Sequence, residues 1–365
     1  MNRSGTLQKA QLILQTGECF HGMSPLAQTD IHYGEVVFNT GMTGYVETLT
    51  DPSYAGQILC FSYPLIGNYG VTAADTWESA RIQVAGVIFS ELMMQSPHHH
   101  ATICSLQEWL NQAPIPWMIG VDTRALTHRL RDAGVLMGAI TTTAQPLHSQ
   151  SLDFPDWTQI NWVSKVSPRT PQYYQSRLTS NSTIKTIIVV DCGIKNNILR
   201  CLRQFPWHIK RVPFDYDYTQ EDYDGIFLSN GPGNPTLCST TIAILKKALK
   251  QEKPTFGICL GSQLMALAIG AKVSKLPVGH RSQNQPCLYL PEDKAYLTSQ
   301  NHGYAIDEAS LASDWKVLFR NLNDQTVAGI AHQNLPFFSV QFHPEAAPGP
   351  QETQWLFEKF WQLVN

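Results

Sequence analysis

A strand that must turn directly into a helix constrains this fold more than any other part of the sequence. Residues 256–264 read Phe-Gly-Ile-Cys-Leu-Gly-Ser-Gln-Leu, so an apolar run reaches Cys259 and helix-like spacing begins at once after it. Gly257 and Gly261 lack the Cβ atoms that would clash in so tight a turn. This pattern is typical of a nucleophile elbow, which projects its side chain into the crevice above a sheet. The alternative is that Cys259 is one more buried thiol, the usual fate of an intracellular cysteine.

Alternating apolar runs and helix-like stretches surround the elbow and predict an α/β fold. Continuous apolar runs, typical of strands covered on both faces, lie at 186–190, 225–228 and 254–258. Helix-like spacing follows them at 195–204, 240–251 and 261–271. We therefore predict a mostly parallel sheet flanked by helices. Apolar runs near 315–319, 326–331 and 337–342 have few helices between them and are expected to add antiparallel strands at one side.

The first half of the chain has a different pattern and predicts a separate domain. Its β-rich runs, separated by turn residues, lie at 11–14, 35–38 and 57–61, and helical spacing follows at 105–112 and 123–133. We predict a mixed α/β domain over 1–172. A linker is expected over 173–184, which is polar and has no core-forming period, and a second domain over 185–365.

The composition is that of an ordinary globular protein and argues against several other functions. The formal net charge of -3 supplies no basic surface for nucleic acid and no polybasic arm for a membrane. The N-terminus lacks the apolar core of a secretory signal, no stretch approaches the length of a membrane span, and we expect a cytoplasmic location. The eight cysteines have no zinc-like spacing and are expected to be free. His98, His99 and His100 are expected to form a solvated loop, and no metal site is predicted.

A base and an orienting carboxylate for Cys259 are available near the end of the chain, in Ser339-Val-Gln-Phe-His-Pro-Glu345. Residues i and i+2 of an extended segment share a face, so His343 and Glu345 can point toward one neighbour. The carboxylate would fix the imidazole tautomer while the other ring nitrogen faces Cys259. Alone, His343 could be a satisfied structural residue and Glu345 a surface charge. Together with the elbow, they predict a catalytic triad.

A loop rich in Gly and Pro is a third candidate element, Phe227-Leu-Ser-Asn-Gly-Pro-Gly-Asn-Pro235. It follows an apolar strand and should bring backbone amides close to the end of the sheet. With the amide of Leu260, these groups could hold the oxyanion of a tetrahedral intermediate. The alternative is an ordinary tight turn.

These three segments, in this order, resemble the triad-type glutamine amidotransferase domain. The first half narrows the resemblance, because segments at 37–47, 50–54, 63–68 and 120–126 are similar to the N-terminal domain of carbamoyl-phosphate synthetase small subunits. Further segments at 190–200, 299–304 and 343–350 extend the resemblance over nearly the whole chain.

The resemblance implies a reaction and a partner. Cys259 would attack the carboxamide of glutamine and form a γ-glutamyl thioester, His343 would move protons, and Glu345 would orient His343. Carried over position by position, the glutamine contacts fall on Gly41, Gly231, Gly233, Leu260, Gln263, Asn301, Gly303 and Tyr304.

Ammonia would then pass to a large synthetase subunit in a heterodimer, for arginine or pyrimidine biosynthesis. This chain has no evident nucleotide-binding loop, so we expect no cofactor in it, and ATP and Mg on the large subunit.

The chain departs from the family pattern near the predicted site. The family elbow usually continues Gly-His-Gln, where this chain has Ser262 in place of His. Ser282 and Gln283 replace two glycines in the segment 279–286, which adds side chains where the backbone can approach closely. The family often has Ser where Gly41 stands and Phe where Tyr304 stands.

Because of these departures, we expect a glutaminase that is retained but weakened or differently coupled to its partner. Two other functions stay open at this point. One is a stand-alone cysteine hydrolase acting on peptides or small amides, and the other is a non-catalytic regulatory or docking subunit.

Overall fold

The computed structural model describes residues 7–25, 28–94, 97, 99–142, 149–176 and 184–365. The chain divides into two compact domains, Met1–Trp157 and Thr158–Asn365. Within the described ranges, no helix is long and apolar enough to cross a membrane.

In its described residues, the first domain contains a seven-stranded mixed sheet and three helices. Its strands are β1 (Leu7–Leu14), β2 (Cys19–Pro25), β3 (His32–Asn39), β4 (Gln57–Phe61), β5 (Leu65–Ile66), β6 (Gly86–Ile88), β7 (Glu91–Leu92), β8 (Trp117–Met118) and β9 (Leu136–Thr141). Its helices are α1 (Tyr45–Thr50), α2 (Leu106–Gln112) and α3 (Thr123–Ala133). The sheet order is β2-β1-β9-β3-β4-β6-β8, and β5 pairs separately with β7. The mixed α/β domain predicted for the first half is confirmed.

The part of the second domain that the structure describes contains a ten-stranded sheet flanked by helices. Its strands are β10 (Gln172–Tyr174), β11 (Lys185–Asp191), β12 (Trp207–Pro213), β13 (Gly225–Leu228), β14 (Thr255–Ile258), β15 (Val273–Tyr289), β16 (Lys294–Ile306), β17 (Trp315–Asn321), β18 (Val327–His332) and β19 (Phe337–Val340). Its helices are α4 (Val163–Val166), α5 (Asn196–Leu202), α6 (Ser239–Ala248), α7 (Leu260–Ala268) and α8 (Trp355–Val364).

The middle of this sheet is parallel, as the continuous apolar runs predict. β12, β11, β13, β14 and β19 are neighbours in this order, and every adjacent pair among them is parallel. Along β11, Ile187 and Val189 pack into one hydrophobic cluster, while Ile188 and Val190 pack into another. The strand is apolar throughout because both of its faces are covered.

The run at 337–342 differs from its prediction as an antiparallel strand at the side of the sheet. β19 pairs in parallel with β14 and is antiparallel only to β18. It therefore lies inside the sheet and joins the parallel part to the antiparallel strands β18, β17 and β15. This placement brings the end of β19 beside the end of β14, which is where the elbow begins.

The domain boundary also lies upstream of its predicted position at residue 172. Val163 is buried in a core cluster of the second domain, and the hydroxyl of Ser167 donates to the carbonyl of Asp191 at 2.6 Å. Strand β10, which overlaps the predicted linker over 173–184, pairs with β12. Residues 163–174 therefore belong to the second domain through these contacts, although their sequence shows no apolar period. Residues 177–183 of the predicted linker lie outside the described residues.

Candidate active site

Four parallel strands end at one edge of the second sheet and place the candidate site there. The residues that follow β11, β13, β14 and β19 are 192–195, 229–233, Cys259 and 341–345. The carboxyl edge of a parallel sheet is where α/β proteins usually bind ligands. All three segments that the sequence singles out therefore meet at this edge.

The turn from β14 to α7 has the geometry of a nucleophile elbow. Cys259 has φ 53° and ψ -105°, a conformation that L-residues rarely adopt, and its amide donates to the carbonyl of Val340 at 2.8 Å. A Cβ atom on Gly257 would lie 2.7 Å from the carbonyl oxygen of Gly261, and one on Gly261 would lie 2.3 Å from that of Leu228. Glycine is thus required on both sides of the corner.

His343 and Glu345 form a buried pair whose hydrogen-bond roles are fixed. Nδ1 of His343 lies 2.7 Å from Oε1 of Glu345, and both side chains are almost completely buried. An ionised carboxylate only accepts, so Nδ1 carries a proton and Nε2 is the ring nitrogen left for chemistry. Nε2 is buried without a hydrogen-bond partner among the described residues.

The charges around His343 favour its protonated form. Burial lowers its pKa, but the carboxylate of Glu345 and the sulfur of Cys259 outweigh this effect and raise the pKa of His343 to about 10. Cys259 therefore lies near enough to His343 to influence its charge, and a catalytic role for the two residues stays a prediction. The Sγ atom of Cys259 also lies 3.6 Å from the carbonyl oxygen of Asn301.

Lys195 is a member of the site that sequence reasoning did not find. Its ammonium is 3.0 Å from Oε1 of Glu345 and also donates to the carbonyl of Ala346. Burial raises the pKa of Glu345, but Lys195 and then His343 outweigh it and hold this pKa at about 2. Glu345 therefore stays ionised although it is fully buried. A lysine beside a helix start gives no sequence signal for this role, because its partner lies 150 residues away.

The loop that carries Lys195 is held by buried side chains. The four backbone amides of residues 192–195 each donate to a side-chain oxygen. Asp191 accepts two of them, at 2.7 and 2.8 Å, while Ser229 and Asn230 accept one each, at 2.9 and 3.0 Å. Arg211 binds the other oxygen of Asp191 through Nε at 2.6 Å. The loops after β11 and β13 are thereby fixed to one another.

The predicted glutamine contacts after β13 and β14 lie beside the elbow. A Cβ on Gly231 would be 2.2 Å from the carbonyl of Cys192 and 2.8 Å from Cδ2 of Leu260, so this position has room only for glycine. Gly233 has φ +85° and lies against Trp162. Leu260 is the first residue of α7. Backbone amides at the start of a helix lack intrahelical partners and can serve an oxyanion.

The remaining predicted contacts divide between the two domains. Asn301, Gly303 and Tyr304 lie on β16, where the carbonyl of Tyr304 accepts from Nε2 of Gln263 at 3.1 Å. Gly41 belongs to the first domain, where its amide donates to Oδ1 of Asn39 at 2.7 Å. Glutamine contact at all eight positions remains a prediction.

The departures from the family pattern have local partners in this structure. Ser262 and Ser339 are fully buried, and their hydroxyl oxygens are 2.8 Å apart. Ser282 accepts from Nε2 of Gln285 at 3.0 Å. Ser282 and Gln283 are not among the residues with positive φ, so the backbone strain that their side chains would cause there does not arise.

All eight cysteines are free thiols, as predicted. In the part of the chain that the structure describes, no three side chains of His, Cys, Asp or Glu are grouped as a metal site requires. His98 lies outside the described residues.

Comparison with known proteins agrees with the fold and the geometry. Residues 188–363 match the family model described as "Glutamine amidotransferase class-I", and residues 12–140 match "Carbamoyl-phosphate synthase small chain, CPSase domain". The second domain is thus a class-I glutamine amidotransferase domain.

Full-length relatives identify the family. The chain is 43% identical to the carbamoyl phosphate synthase arginine-specific small chain of Candida albicans, over 100% of this chain and 87% of that protein. It is 42% identical to the carbamoyl phosphate synthase small chain of Pyrococcus furiosus, over 99% of each. It also shares 42% identity with the multifunctional protein URA2 of Saccharomyces cerevisiae, over 97% of this chain but 17% of that protein. The chain belongs to the carbamoyl phosphate synthase small chain family.

Proposed function

We propose that this chain is the glutamine-hydrolysing subunit of a carbamoyl phosphate synthase. One observation carries the proposal: the buried series Lys195, Glu345 and His343 ends beside Cys259 at the elbow of a class-I glutamine amidotransferase domain. A nucleophile, a base and an orienting carboxylate in this order are the requirement for acyl transfer through a thioester.

The first half of the reaction uses the imidazolium of His343. Because the pKa of His343 is raised to about 10, its Nε2 carries a proton at neutral pH. The thiolate of Cys259, paired with this imidazolium, attacks the side-chain carbonyl carbon of glutamine, and the amide of Leu260 with those of the 229–233 loop can stabilise the resulting oxyanion. The carbon–nitrogen bond then breaks, and the departing nitrogen takes the proton from His343. Ammonia and a γ-glutamyl thioester result.

The second half restores the enzyme. A water molecule attacks the thioester carbon, His343 accepts its proton, and the carbon–sulfur bond breaks to release glutamate. Throughout both halves, Glu345 holds Nδ1 of His343, and Lys195 keeps Glu345 ionised. In this proposal, the groups that act in glutamine hydrolysis are side chains and backbone amides of this chain, together with water.

The ATP-dependent steps of carbamoyl phosphate synthesis take place, in this proposal, on a partner chain. In this proposal the large chain binds ATP and Mg, receives ammonia from this chain, and uses bicarbonate to make carbamoyl phosphate. No cofactor is assigned to this chain. The cytoplasmic location stays a prediction. We also propose that Ser262, Ser282 and Gln283 leave the glutaminase weakened or differently coupled.

Glutamate release from glutamine is the measurement that tests the proposal. The purified chain and its Cys259→Ser variant are compared with and without the large chain, ATP and bicarbonate. Cys238→Ser serves as a matched control, because Cys238 is also a buried cysteine of the second domain. We expect release that the large chain stimulates, that Cys259→Ser abolishes and that Cys238→Ser retains.

Two results would count against parts of this proposal. If the wild-type complex releases no glutamate but still makes carbamoyl phosphate from ammonia, the chain is a docking subunit. If glutamine-dependent turnover matches ammonia-dependent turnover, the proposed weakening by the three departures is wrong.

A further inference from the structure

The side-chain amide of Gln263 lies between two fixed acceptors. Gln263 is buried in the first turns of α7, and its Nε2 donates to the carbonyl of Tyr304 and to Oε1 of Gln341, both at 3.1 Å. A backbone carbonyl can only accept a hydrogen bond, so the nitrogen of Gln263 must face Tyr304. Both N–H groups of this amide are therefore used, and its oxygen is left as an acceptor.

The contact at Tyr304 is itself held in place. Its carbonyl also lies 2.8 Å from Nδ1 of His302, a buried histidine. A backbone carbonyl only accepts, so Nδ1–H of His302 is the donor in this contact. The carbonyl oxygen of Tyr304 thus accepts from both Gln263 and His302, which uses both of its lone pairs.

Gln341 accepts the second hydrogen bond from Gln263, and only the oxygen of its side-chain amide has a partner among the described residues. It is 1% exposed, its Oε1 binds Gln263, and its Nε2 has no hydrogen-bond partner among the described residues. A buried donor without a partner destabilises a fold. The acceptor oxygen is therefore the part of Gln341 that the site uses.

We propose that Gln341 determines substrate specificity by turning the oxygen of Gln263 toward the substrate. This inference rests on the proposed function, in which Cys259 attacks the side-chain amide of glutamine. Cys259 directly precedes α7, and Gln263 is the fourth residue of that helix, about 6 Å further along the axis. The far end of glutamine offers one donor, the α-ammonium, because its carboxylate only accepts. An acceptor oxygen at Gln263 selects that ammonium.

Two hydrogen bonds hold the plane of the Gln263 amide, whereas one would let it rotate about the remaining contact. Gln341→Leu removes the second contact, and Gln341→Glu keeps an acceptor oxygen at the same place while replacing the unpartnered nitrogen with a second oxygen. The two variants thus separate the acceptor from the volume of the side chain. Gln263→Met removes the selecting oxygen itself.

The test compares two substrates in the complex of this chain with the large chain. Glutamine and glutaramate, the analogue without the α-amino group, both release ammonia on hydrolysis, and kcat/KM is measured for each. We expect wild type and Gln341→Glu to prefer glutamine strongly. In Gln341→Leu the preference falls by about tenfold while kcat/KM for glutaramate is retained, because the hydrogen bond to the α-ammonium is weakened. In Gln263→Met the preference falls by more, because that hydrogen bond is lost.

Ser339→Ala is the matched control. Ser339 also joins β19 to α7 through a buried hydrogen bond, to Ser262, two residues before Gln341. We expect it to keep the preference for glutamine. If Gln341→Leu keeps the full preference, or loses activity equally on both substrates, the inference is overturned while glutamine hydrolysis by wild type still stands. If wild type hydrolyses neither substrate, the proposed function fails.

Discussion

Lys195 and Glu345 form an ion pair of 3.0 Å inside the second domain, with 4% and 0% of their side chains exposed. The carboxylate also holds His343, so one oxygen atom joins a buried cation to the ring that faces the nucleophile. A charge this deeply buried must be compensated. Lys195 therefore supplies the charge that compensates the buried carboxylate of Glu345.

Replacing Lys195 with Met should impair glutamine hydrolysis more than glutamine binding. Without the ammonium, the pKa of Glu345 rises, because Lys195 is the strongest influence that lowers it. We expect kcat for glutamine to fall by about a hundredfold, the lower end of what positioned acid–base catalysis contributes. Loss of one partner of a buried pair should also lower the free energy of unfolding by about 3 kcal/mol or more. Steady-state kinetics and urea denaturation measure the two effects.

Lys185→Met is the control for this substitution. Lys185 forms an ion pair of the same length with Asp224, but its side chain is 38% exposed. Pairs of this kind contribute about 1 kcal/mol or less, so kcat and stability should change little. An unchanged kcat in Lys195→Met would show that the ammonium is not needed to keep Glu345 in its catalytic state.

The protonation of His343 should depend on Glu345. In wild type the ring should stay protonated until the pH approaches about 10. In Glu345→Gln the carboxylate that raises this pKa is absent, and the pKa of His343 should fall. The imidazole nitrogen signals of the labelled protein, assigned through His343→Asn, report this titration. A wild-type ring that titrates near the ordinary value of 6.5 would contradict the prediction.

The same shift predicts how stability depends on pH. The pKa of His343 is higher in the folded chain than its ordinary value of 6.5, so the folded state binds the proton more tightly. Its contribution to stability is fully present below about pH 6.5 and is lost as the pH rises toward about 10. Between these values wild type should lose more stability than Glu345→Gln, as measured by urea denaturation at a series of pH values.

The sequence predicts the elbow and the triad because their chemistry is local. A strand that turns into a helix requires glycine on both sides of Cys259, and the spacing of His343 and Glu345 is readable within one extended segment. Lys195 and Gln341 cannot be identified from the sequence in this way. Their partners, Glu345 and Gln263, are far away along the chain and come close only in the folded domain.

The boundaries of the second domain show the same limit. β10 has no apolar period, and its residues 173 and 174 belong to the predicted linker. Its place in the sheet comes from pairing with β12 and from the hydrogen bond of Arg211 to Gln172. β19 reads as a buried strand, but its parallel partner β14 lies 82 residues earlier in the chain, counted from Thr255 to Phe337. The direction of pairing is therefore not available from the local pattern.

Gly261→Ala should destabilise the second domain through a steric clash with backbone. The added Cβ would lie 2.3 Å from the carbonyl oxygen of Leu228, which the parallel sheet cannot easily move. We expect a loss of about 3 kcal/mol or more, measured by urea denaturation. Gly303→Ala is the matched control, because its nearest neighbour is a guanidinium nitrogen of Arg281 at 3.5 Å, an ordinary contact. Equal stability of the two variants would mean that the turn relaxes without strain.

The hydroxyl pair of Ser262 and Ser339 should be coupled, which would explain how the chain accommodates serine where its family usually has histidine. The two oxygens are 2.8 Å apart and fully buried. Either single alanine variant leaves one hydroxyl without its partner and should lower the free energy of unfolding by about 1–3 kcal/mol. The double variant leaves none, so its loss should be smaller than the sum of the single losses, by about 0.5–1.5 kcal/mol. Urea denaturation of the four proteins completes the cycle. Strict additivity would mean that the hydroxyls do not stabilise one another, and that serine at position 262 is accommodated in some way other than by this hydrogen bond.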